Sequence, residues 1–104
     1  MWVRYVKGGV KMQFTFEPGR LFYEQDGQVL AEILFPAIDN GRVWSINHTY
    51  VNPALRGQGV AGQMLAEVVE RAQQAGVQLK PVCSYAREAF LRHPDYQALE
   101  RRDV

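Results

Sequence analysis

A short glycine-rich segment, Arg-Gly-Gln-Gly-Val-Ala at residues 56–61, stands at the start of a run with helical hydrophobic spacing. The first N–H groups of a helix have no partner within the helix, and they carry the positive end of its dipole. Gly57 and Gly59 lack side chains that would keep an anion away from these groups, and Ala61 and Gly62 keep the next positions small. The pattern predicts a binding site for a phosphate or pyrophosphate. An ordinary strand-to-helix turn that uses glycine only for its geometry is the alternative.

Two other phosphate-binding motifs fit less well. A Walker loop needs a lysine followed by serine or threonine after its last glycine, and this segment has neither. Gly57, Gly59 and Gly62 do have the spacing of the dinucleotide-binding fingerprint. That fingerprint opens a repeated parallel β-α-β unit, whereas the strands before residue 56 are predicted to be antiparallel. A chain of 104 residues is also short for such a domain.

Four short apolar runs precede the glycine-rich segment, and they show the alternation typical of strands. Turn signals separate them at residues 18–19 (Pro-Gly), 26–27 (Asp-Gly) and 40–41 (Asn-Gly). Strands joined by such short turns form an antiparallel meander. The four predicted strands are residues 12–16, 21–23, 29–35 and 43–51.

The chain then changes to helical spacing. A helix is predicted from about residue 58 to residue 75, with Gly76 as its left-handed C-cap. Residues 77–82 form a fifth strand, which is expected to be parallel to the fourth because a helix connects the two. One or two short helices follow, the first of them capped by Ser84. The predicted fold class is therefore mixed α/β (α+β), with an antiparallel meander first and one helical crossover after it.

Length and composition bound the remaining possibilities. The 104 residues suit a single domain at residues 12–104, with residues 1–11 as an N-terminal extension or an extra edge strand. A formal net charge of +1 argues against a nucleic-acid partner, and a single cysteine excludes an internal disulfide. The sequence has neither a signal peptide nor an apolar run of the ~20 residues that a membrane helix needs. We therefore expect a cytoplasmic protein without a membrane partner, either a monomer or a weak homodimer.

Three separated motifs resemble those of one known family. They are His-Thr-Tyr-Val at residues 48–51, the glycine-rich segment at 56–61, and Pro-x-Cys-Ser-Tyr-Ala at 81–86, followed by Phe90 and by His-Pro-x-Tyr at 93–96. In this order they resemble the small single-domain subfamily of GCN5-related N-acetyltransferases. The resemblance covers residue 12 to the C-terminus.

The resemblance implies a sheet that splays between its fourth and fifth strands and holds the pantetheine arm of acetyl-CoA in the gap. Pro81 agrees with such a splay, because proline cannot donate to a strand ladder. The backbone of Tyr50 and Val51 would bind the arm, and the glycine-rich segment would bind the pyrophosphate. Larger family members add strands after the fifth, so the resemblance does not name the acceptor. The implied cofactor-binding residues are Tyr50, Val51, Arg56, Gly57, Gln58, Gly59, Val60, Ala61, Gly62, Ser84 and Phe90.

Three residues are candidates for the chemistry that the resemblance implies. His48 can act as a base near neutral pH, or it can be a structural histidine of a strand. Tyr85 can protonate the departing thiolate, or it can pack against the cofactor. Cys83, where a strand gives way to a helix, can take up the acyl group transiently with His48 as its base, or it can only shape the pocket.

The sequence thus predicts an N-acetyltransferase that uses acetyl-CoA as co-substrate, needs no metal, and acetylates an amine of a small molecule or a protein. The alternative is a non-catalytic module that binds or senses acyl-CoA. The glycine-rich segment would serve both functions equally well, so turnover and its dependence on Cys83 and His48 distinguish them.

Overall fold

The computed structural model describes residues 3–6 and 9–103, and it describes residues 3–6 and 9–11 through their backbone alone. Within these ranges it contains nine strands, one short 3-10 turn at Pro53–Leu55 and three helices. The strands are β1 (Val3–Val6), β2 (Gly9–Met12), β3 (Thr15–Glu17), β4 (Arg20–Gln25), β5 (Gln28–Leu34), β6 (Ala37–Ile38), β7 (Val43–Ile46), β8 (His48–Val51) and β9 (Gln78–Pro81). The helices are α1 (Val60–Ala75), α2 (Ser84–Arg92) and α3 (Pro94–Gln97).

The strands confirm the predicted antiparallel meander followed by a parallel crossover. Strands β3, β4, β5 and β8 form one antiparallel sheet in that order, and β6, β7 and β9 form a second group. Strand β9 runs parallel to β7, to which α1 connects it. The turn between β4 and β5 has positive φ angles at Asp26 (53°) and Gly27 (77°), as a two-residue hairpin of the predicted type requires.

The predicted fourth strand, residues 43–51, is divided at Asn47 into β7 and β8. Its first half pairs with β9, and its second half pairs with β5. The carbonyl oxygen of Ile46 accepts the N–H groups of both Val82 and Cys83, each at 3.0 Å, and the parallel ladder ends there. Among the described residues β8 has no strand on its other side, so a gap opens between β8 and the start of α2. We call this opening the gap.

The two faces of the antiparallel sheet are unlike. Ala31 and Ile33 are fully buried in one cluster with Met64 and Val68 of α1. Side chains alternate between faces along a strand, so Glu32 of β5 lies on the opposite face. Its cross-strand neighbours on that face are Phe22 and Tyr50. None of these three belongs to the cluster that the helices share, and we call their face the helix-free face.

Both long helices begin one or two residues away from the predicted positions. Helix α1 starts at Val60 rather than Gln58, because Gly59 has a left-handed φ of 74° that cannot continue a helix. The N-cap of α2 is Cys83 and not Ser84, which is its first helical residue. The predicted left-handed C-cap at Gly76 is confirmed, with φ 72° and its N–H bonded to the carbonyls of the last turn.

The first strands form a separate antiparallel pair, β1 with β2. The N–H of Met12, the last residue of β2, donates to Oε1 of Gln63 on α1 at 2.9 Å. The division of the chain into residues 1–11 and 12–104 stays a prediction, and residues 1, 2, 7 and 8 lie outside the described ranges. None of the helices in those ranges is long and apolar enough to cross a membrane.

Candidate active site

The segment that joins β8 to α1 is fixed by hydrogen bonds at its start. Asn52 accepts the N–H of Ala54 on Oδ1 at 2.9 Å, and its carbonyl accepts the N–H of Leu55 at 2.9 Å. Arg56 then reaches back, and its Nε donates to the carbonyl oxygen of Val51 at 3.2 Å. These bonds close a tight turn that directs the glycines toward the first turn of α1.

The backbone conformation at positions 57 and 59 requires glycine. Their φ angles are 83° and 74°, a left-handed region that L side chains rarely adopt. A Cβ at Gly57 or Gly59 would meet no atom within 4 Å, so open space lies beside both. No side chain caps the N-terminus of α1, and its first turn contains no acidic residue. The positive end of the helix therefore faces this open space without a counter-charge of its own.

A cavity of about 350 Å³ occupies this space. Val51 and Leu55 form an apolar wall, and Tyr85 of α2 closes the opposite side. The hydroxyl of Tyr85 lies 3.7 Å from the position that a Cβ would take at Gly62, so a larger residue there would press against it. The lining residues are Val51, Leu55, Arg56, Gly57, Gly59, Val60, Ala61, Gly62 and Tyr85.

Burial raises the pKa of the Tyr85 hydroxyl above its ordinary value of 10.0. Arg92 acts in the opposite direction, while Cys83 and Glu88 add to the rise. The group is therefore protonated throughout the neutral range, and it can donate a proton or a hydrogen bond into the cavity.

The register of β8 decides which of its backbone groups face the gap. The N–H of Asn52 donates to the carbonyl of Leu30 at 2.7 Å. In an antiparallel ladder hydrogen-bonded pairs alternate with pairs that have no bond, so the pair of Glu32 and Tyr50 is also hydrogen-bonded. The N–H and C=O groups of Tyr50 are thus directed toward β5. Those of Thr49 and Val51 are directed toward the gap.

This register differs from the prediction that Tyr50 and Val51 together present their backbone to a ligand. Val51 does so with its N–H, since its carbonyl is bonded to Arg56. By its register Thr49, and not Tyr50, shares this strand edge with Val51, and the Tyr50 hydroxyl accepts from Asn52 Nδ2 at 3.4 Å. The sequence signal for Thr49 is its place in the His-Thr-Tyr-Val motif, two residues before Val51 on the same strand edge.

Cys83 lies across the gap from Thr49. Its Sγ is 3.5 Å from Thr49 Oγ1, and both side chains are half-buried. His48 is exposed, and as the preceding strand residue it points to the opposite face of β8. The structure therefore brings Cys83 and Thr49 together, and it does not bring His48 to the Cys83 thiol.

Three further predicted cofactor-binding residues do not line the cavity. Phe90 is 2% exposed and packs in the core, with its ring 5.5 Å from that of Tyr96. It borders a different cavity, of about 500 Å³, together with Pro81 and Leu91. Its helical spacing in the sequence reflects core packing. Gln58 and Ser84 are exposed beside the loop and at the first position of α2.

Among the described residues no group of three His, Cys, Asp or Glu side chains could hold a metal ion. The chemistry that the site can perform on its own residues is anion binding at α1, hydrogen bonding along β8, and proton transfer or nucleophilic attack from Tyr85 and Cys83.

Comparison with known proteins places this geometry in a family. The family model described as GCN5-related N-acetyl-transferase matches residues 20–99. The solution structure of a GCN5-like protein from Staphylococcus aureus is 27% identical, with a TM-score of 0.71, and the match covers 86% of this chain and 87% of that one.

Two larger structures share the fold. A predicted acetyltransferase from Clostridium acetobutylicum, solved with acetyl-CoA, is 26% identical with a TM-score of 0.50, over 82% of this chain and 58% of that one. Ribosomal-protein-alanine N-acetyltransferase from Brucella melitensis biovar Abortus 2308 is 18% identical with a TM-score of 0.57, over 82% of this chain and 64% of that one. The family match spans residues 20–99, which include both sides of the gap and the glycine-rich segment, so this chain belongs to the GCN5-related N-acetyltransferases and is an acyltransferase.

Proposed function

We propose that this chain transfers the acetyl group of acetyl-CoA to an amine of a small molecule or a protein. The observation that carries the proposal is the cavity between the uncapped start of α1 and Tyr85. Val51 lines this cavity and is also the last residue of β8, so the cavity continues into the gap. A phosphate site that leads into an unpaired strand edge suits a long ligand with an anionic end and an amide-bearing arm.

The residues present fit the pyrophosphate and the pantetheine arm of acetyl-CoA. The N–H groups of residues 60–62 would bind the pyrophosphate, since no side chain caps them. Arg56 keeps its two terminal nitrogens available while its Nε holds Val51, so it can add a bidentate phosphate contact. Thr49 and Val51 would bind the pantetheine amides at the free edge of β8, in the way that a neighbouring strand would.

The transfer needs two proton movements, and the described residues supply both. The amine nitrogen forms a bond to the thioester carbon, and the carbon–sulfur bond breaks. Tyr85, protonated and beside the cavity, donates a proton to the leaving sulfur. His48, exposed on the helix-free face, accepts the proton that the amine loses, directly or through water. Cofactor and acceptor then reach the gap from opposite faces of the sheet.

A two-step route through Cys83 uses the same gap. The Cys83 sulfur forms a bond to the thioester carbon, the carbon–sulfur bond to the coenzyme breaks, and the proton of the Cys83 thiol passes through water to the leaving sulfur. The amine nitrogen then forms its bond to the same carbon, the bond from that carbon to Cys83 breaks, and the proton that the amine loses returns through water to the Cys83 sulfur. The position of Cys83 at the N-cap of α2, beside Thr49, supports this route. The separation of His48 from Cys83 does not support His48 as the base for the thiol.

Binding is tested by titrating acetyl-CoA by calorimetry into the wild type and into Gly59→Glu, whose carboxylate would repel the pyrophosphate. Gly27→Glu is the matched control, because Gly27 has a similar φ of 77° and equally open space, but lies in the β4–β5 turn. We expect affinity in the micromolar range, about 8 kcal/mol, for the wild type and the control. Loss of binding in Gly59→Glu alone supports the proposal, and no binding by the wild type contradicts it.

Turnover is tested by release of coenzyme A thiol with a panel of small amines and lysine peptides. Acetylation of a panel member above the buffer rate supports the enzyme. Saturable binding without acetylation of any member would favour a non-catalytic acyl-CoA-binding module.

A further inference from the structure

The contact between Thr49 and Cys83 joins two elements that otherwise diverge at the gap. Thr49 lies on β8 and Cys83 precedes α2, 34 residues later in the chain, with Oγ1 and Sγ 3.5 Å apart. At the end of the parallel ladder, the carbonyl oxygen of Ile46 on β7 accepts the N–H groups of Val82 and Cys83, which follow β9. The hydroxyl–sulfur contact is a further link between the two elements beyond the end of the ladder.

Hydrogen bonds fix the backbone of Cys83, so its sulfur can occupy only a few positions. Its N–H donates to Ile46, and its carbonyl accepts the N–H of Arg87 at 3.0 Å. With the backbone held on both sides, rotation about χ1 decides where the sulfur lies. Thr49 itself is β-branched and sits on a strand, which restricts its own χ1. Its hydroxyl is therefore a rigid partner that selects one sulfur position.

A hydroxyl can serve both protonation states of a thiol. It accepts a hydrogen bond from the S–H group, and it donates one to the thiolate. Valine, which has the same shape, can do neither. The backbone of Thr49 meanwhile faces the gap, so the residue that contacts the sulfur also borders the path of the pantetheine arm.

We propose that Thr49 is a positioning residue for Cys83, and that its hydroxyl holds the sulfur at the edge of the gap. The proposal rests on the proposed function for its role in acyl transfer. The physical contact that it asserts can be tested without acetyl-CoA, because Cys83 is the single cysteine of the chain.

The test measures the rate at which iodoacetamide alkylates Cys83 at neutral pH, followed by intact mass. We expect Thr49→Val to slow alkylation by about fivefold, the size of one hydrogen bond, because the sulfur is then free to rotate away from the edge of the gap. Thr49→Ser, which restores the hydroxyl, should return the rate to within about twofold of the wild type, since its donor is the same. Thr15→Val on the exposed strand β3 is the matched control and should leave the rate unchanged.

Unchanged alkylation in Thr49→Val, or failure of Thr49→Ser to restore the rate, would overturn the proposal. Circular dichroism and Tm verify folding, and Thr49→Ala is a second hydroxyl-free variant should the valine variant not fold. The titration of acetyl-CoA separates this result from the proposed function. The titration is made on the wild type, so a wild type that does not bind acetyl-CoA contradicts the function and leaves the alkylation result standing.

Discussion

The guanidinium Nε of Arg56 donates to the carbonyl oxygen of Val51 at 3.2 Å, and this bond ties the end of β8 to the glycine-rich turn. The last residue of the unpaired strand edge and the proposed phosphate site are thereby held at a fixed separation. A ligand that contacts both the strand edge and the glycine-rich turn must span that separation. The bond therefore stabilises the turn and also favours ligands of matching length.

Replacement of Arg56 should weaken acetyl-CoA binding through both of its roles. We expect Arg56→Ala to raise the calorimetric Kd by at least about tenfold, since charge-assisted and bidentate contacts are the stronger ones. Arg56→Lys should recover only part of the loss, because an ammonium lacks the planar fork that would let Nε hold Val51 while both terminal nitrogens contact a phosphate. Arg42→Ala is the control, since Arg42 is exposed, pairs with Asp39 between β6 and β7, and does not line the cavity. Equal affinity of Arg56→Lys and the wild type would leave Arg56 with charge as its only role.

The burial of Tyr85 predicts a loss of stability at alkaline pH. Its pKa is raised in the folded state, so the folded protein holds the proton more tightly than the unfolded chain does. The resulting stabilisation is complete below the ordinary value of 10.0 and is lost as the pH rises through the higher folded-state value. Burial raises the pKa of Tyr96 in the same direction.

Tm measured from pH 8 to pH 11 should therefore fall less steeply at the alkaline end for Tyr85→Phe than for the wild type. The same direction is expected for Tyr96→Phe, which serves as a comparison away from the cavity. If the Tm of Tyr85→Phe falls as steeply at alkaline pH as that of the wild type, burial does not raise the pKa of the Tyr85 hydroxyl. In the turnover assay, Tyr85→Phe should lower kcat at neutral pH without a matching change in acetyl-CoA affinity.

His48 and Cys83 should act independently, because they face opposite sides of β8. The rate losses of His48→Ala and Cys83→Ala are expected to multiply in the double variant, as they do for groups that share no partner. Residues that work as one nucleophile–base pair behave differently, since losing either costs nearly as much as losing both. If both single variants are slow and the double variant is no slower than the worse of them, His48 and Cys83 act as one pair, and their independence is contradicted.

Local chemistry made several features predictable from sequence. Gly76 ends α1 because glycine adopts the left-handed C-cap at no steric cost, and Asp26-Gly27 forms a hairpin turn for a related reason. The parallel pairing of β9 with β7 followed from the helix between them. The resemblance to the family rested on three motifs, and all three lie along the gap and the cavity.

The division of residues 43–51 was not predictable in the same way. Strand-forming residues run through both halves, and Asn47 between them carries no strong turn signal on its own. The break comes from tertiary pairing, since the Ile46 carbonyl takes two N–H groups and β9 ends at Pro81. The prediction that the backbone of Tyr50, rather than that of Thr49, faces the gap differs from the structure for a similar reason. Which strand residues face the gap depends on the register against β5, and one position of shift reverses the answer.

The opening beside β8 also affects how copies of the protein behave toward one another. A strand with unpaired N–H and C=O groups is a template on which another chain can add a strand, and proteins commonly guard such edges with charge. Here Arg56 protects the edge, because it donates a hydrogen bond to the Val51 carbonyl and places a positive charge beside it. A bound pantetheine arm would cover the remaining unpaired N–H and C=O groups of this edge. The colloidal stability of the protein should thus follow the concentration of its co-substrate, with the ligand-free form the more prone to edge-to-edge association.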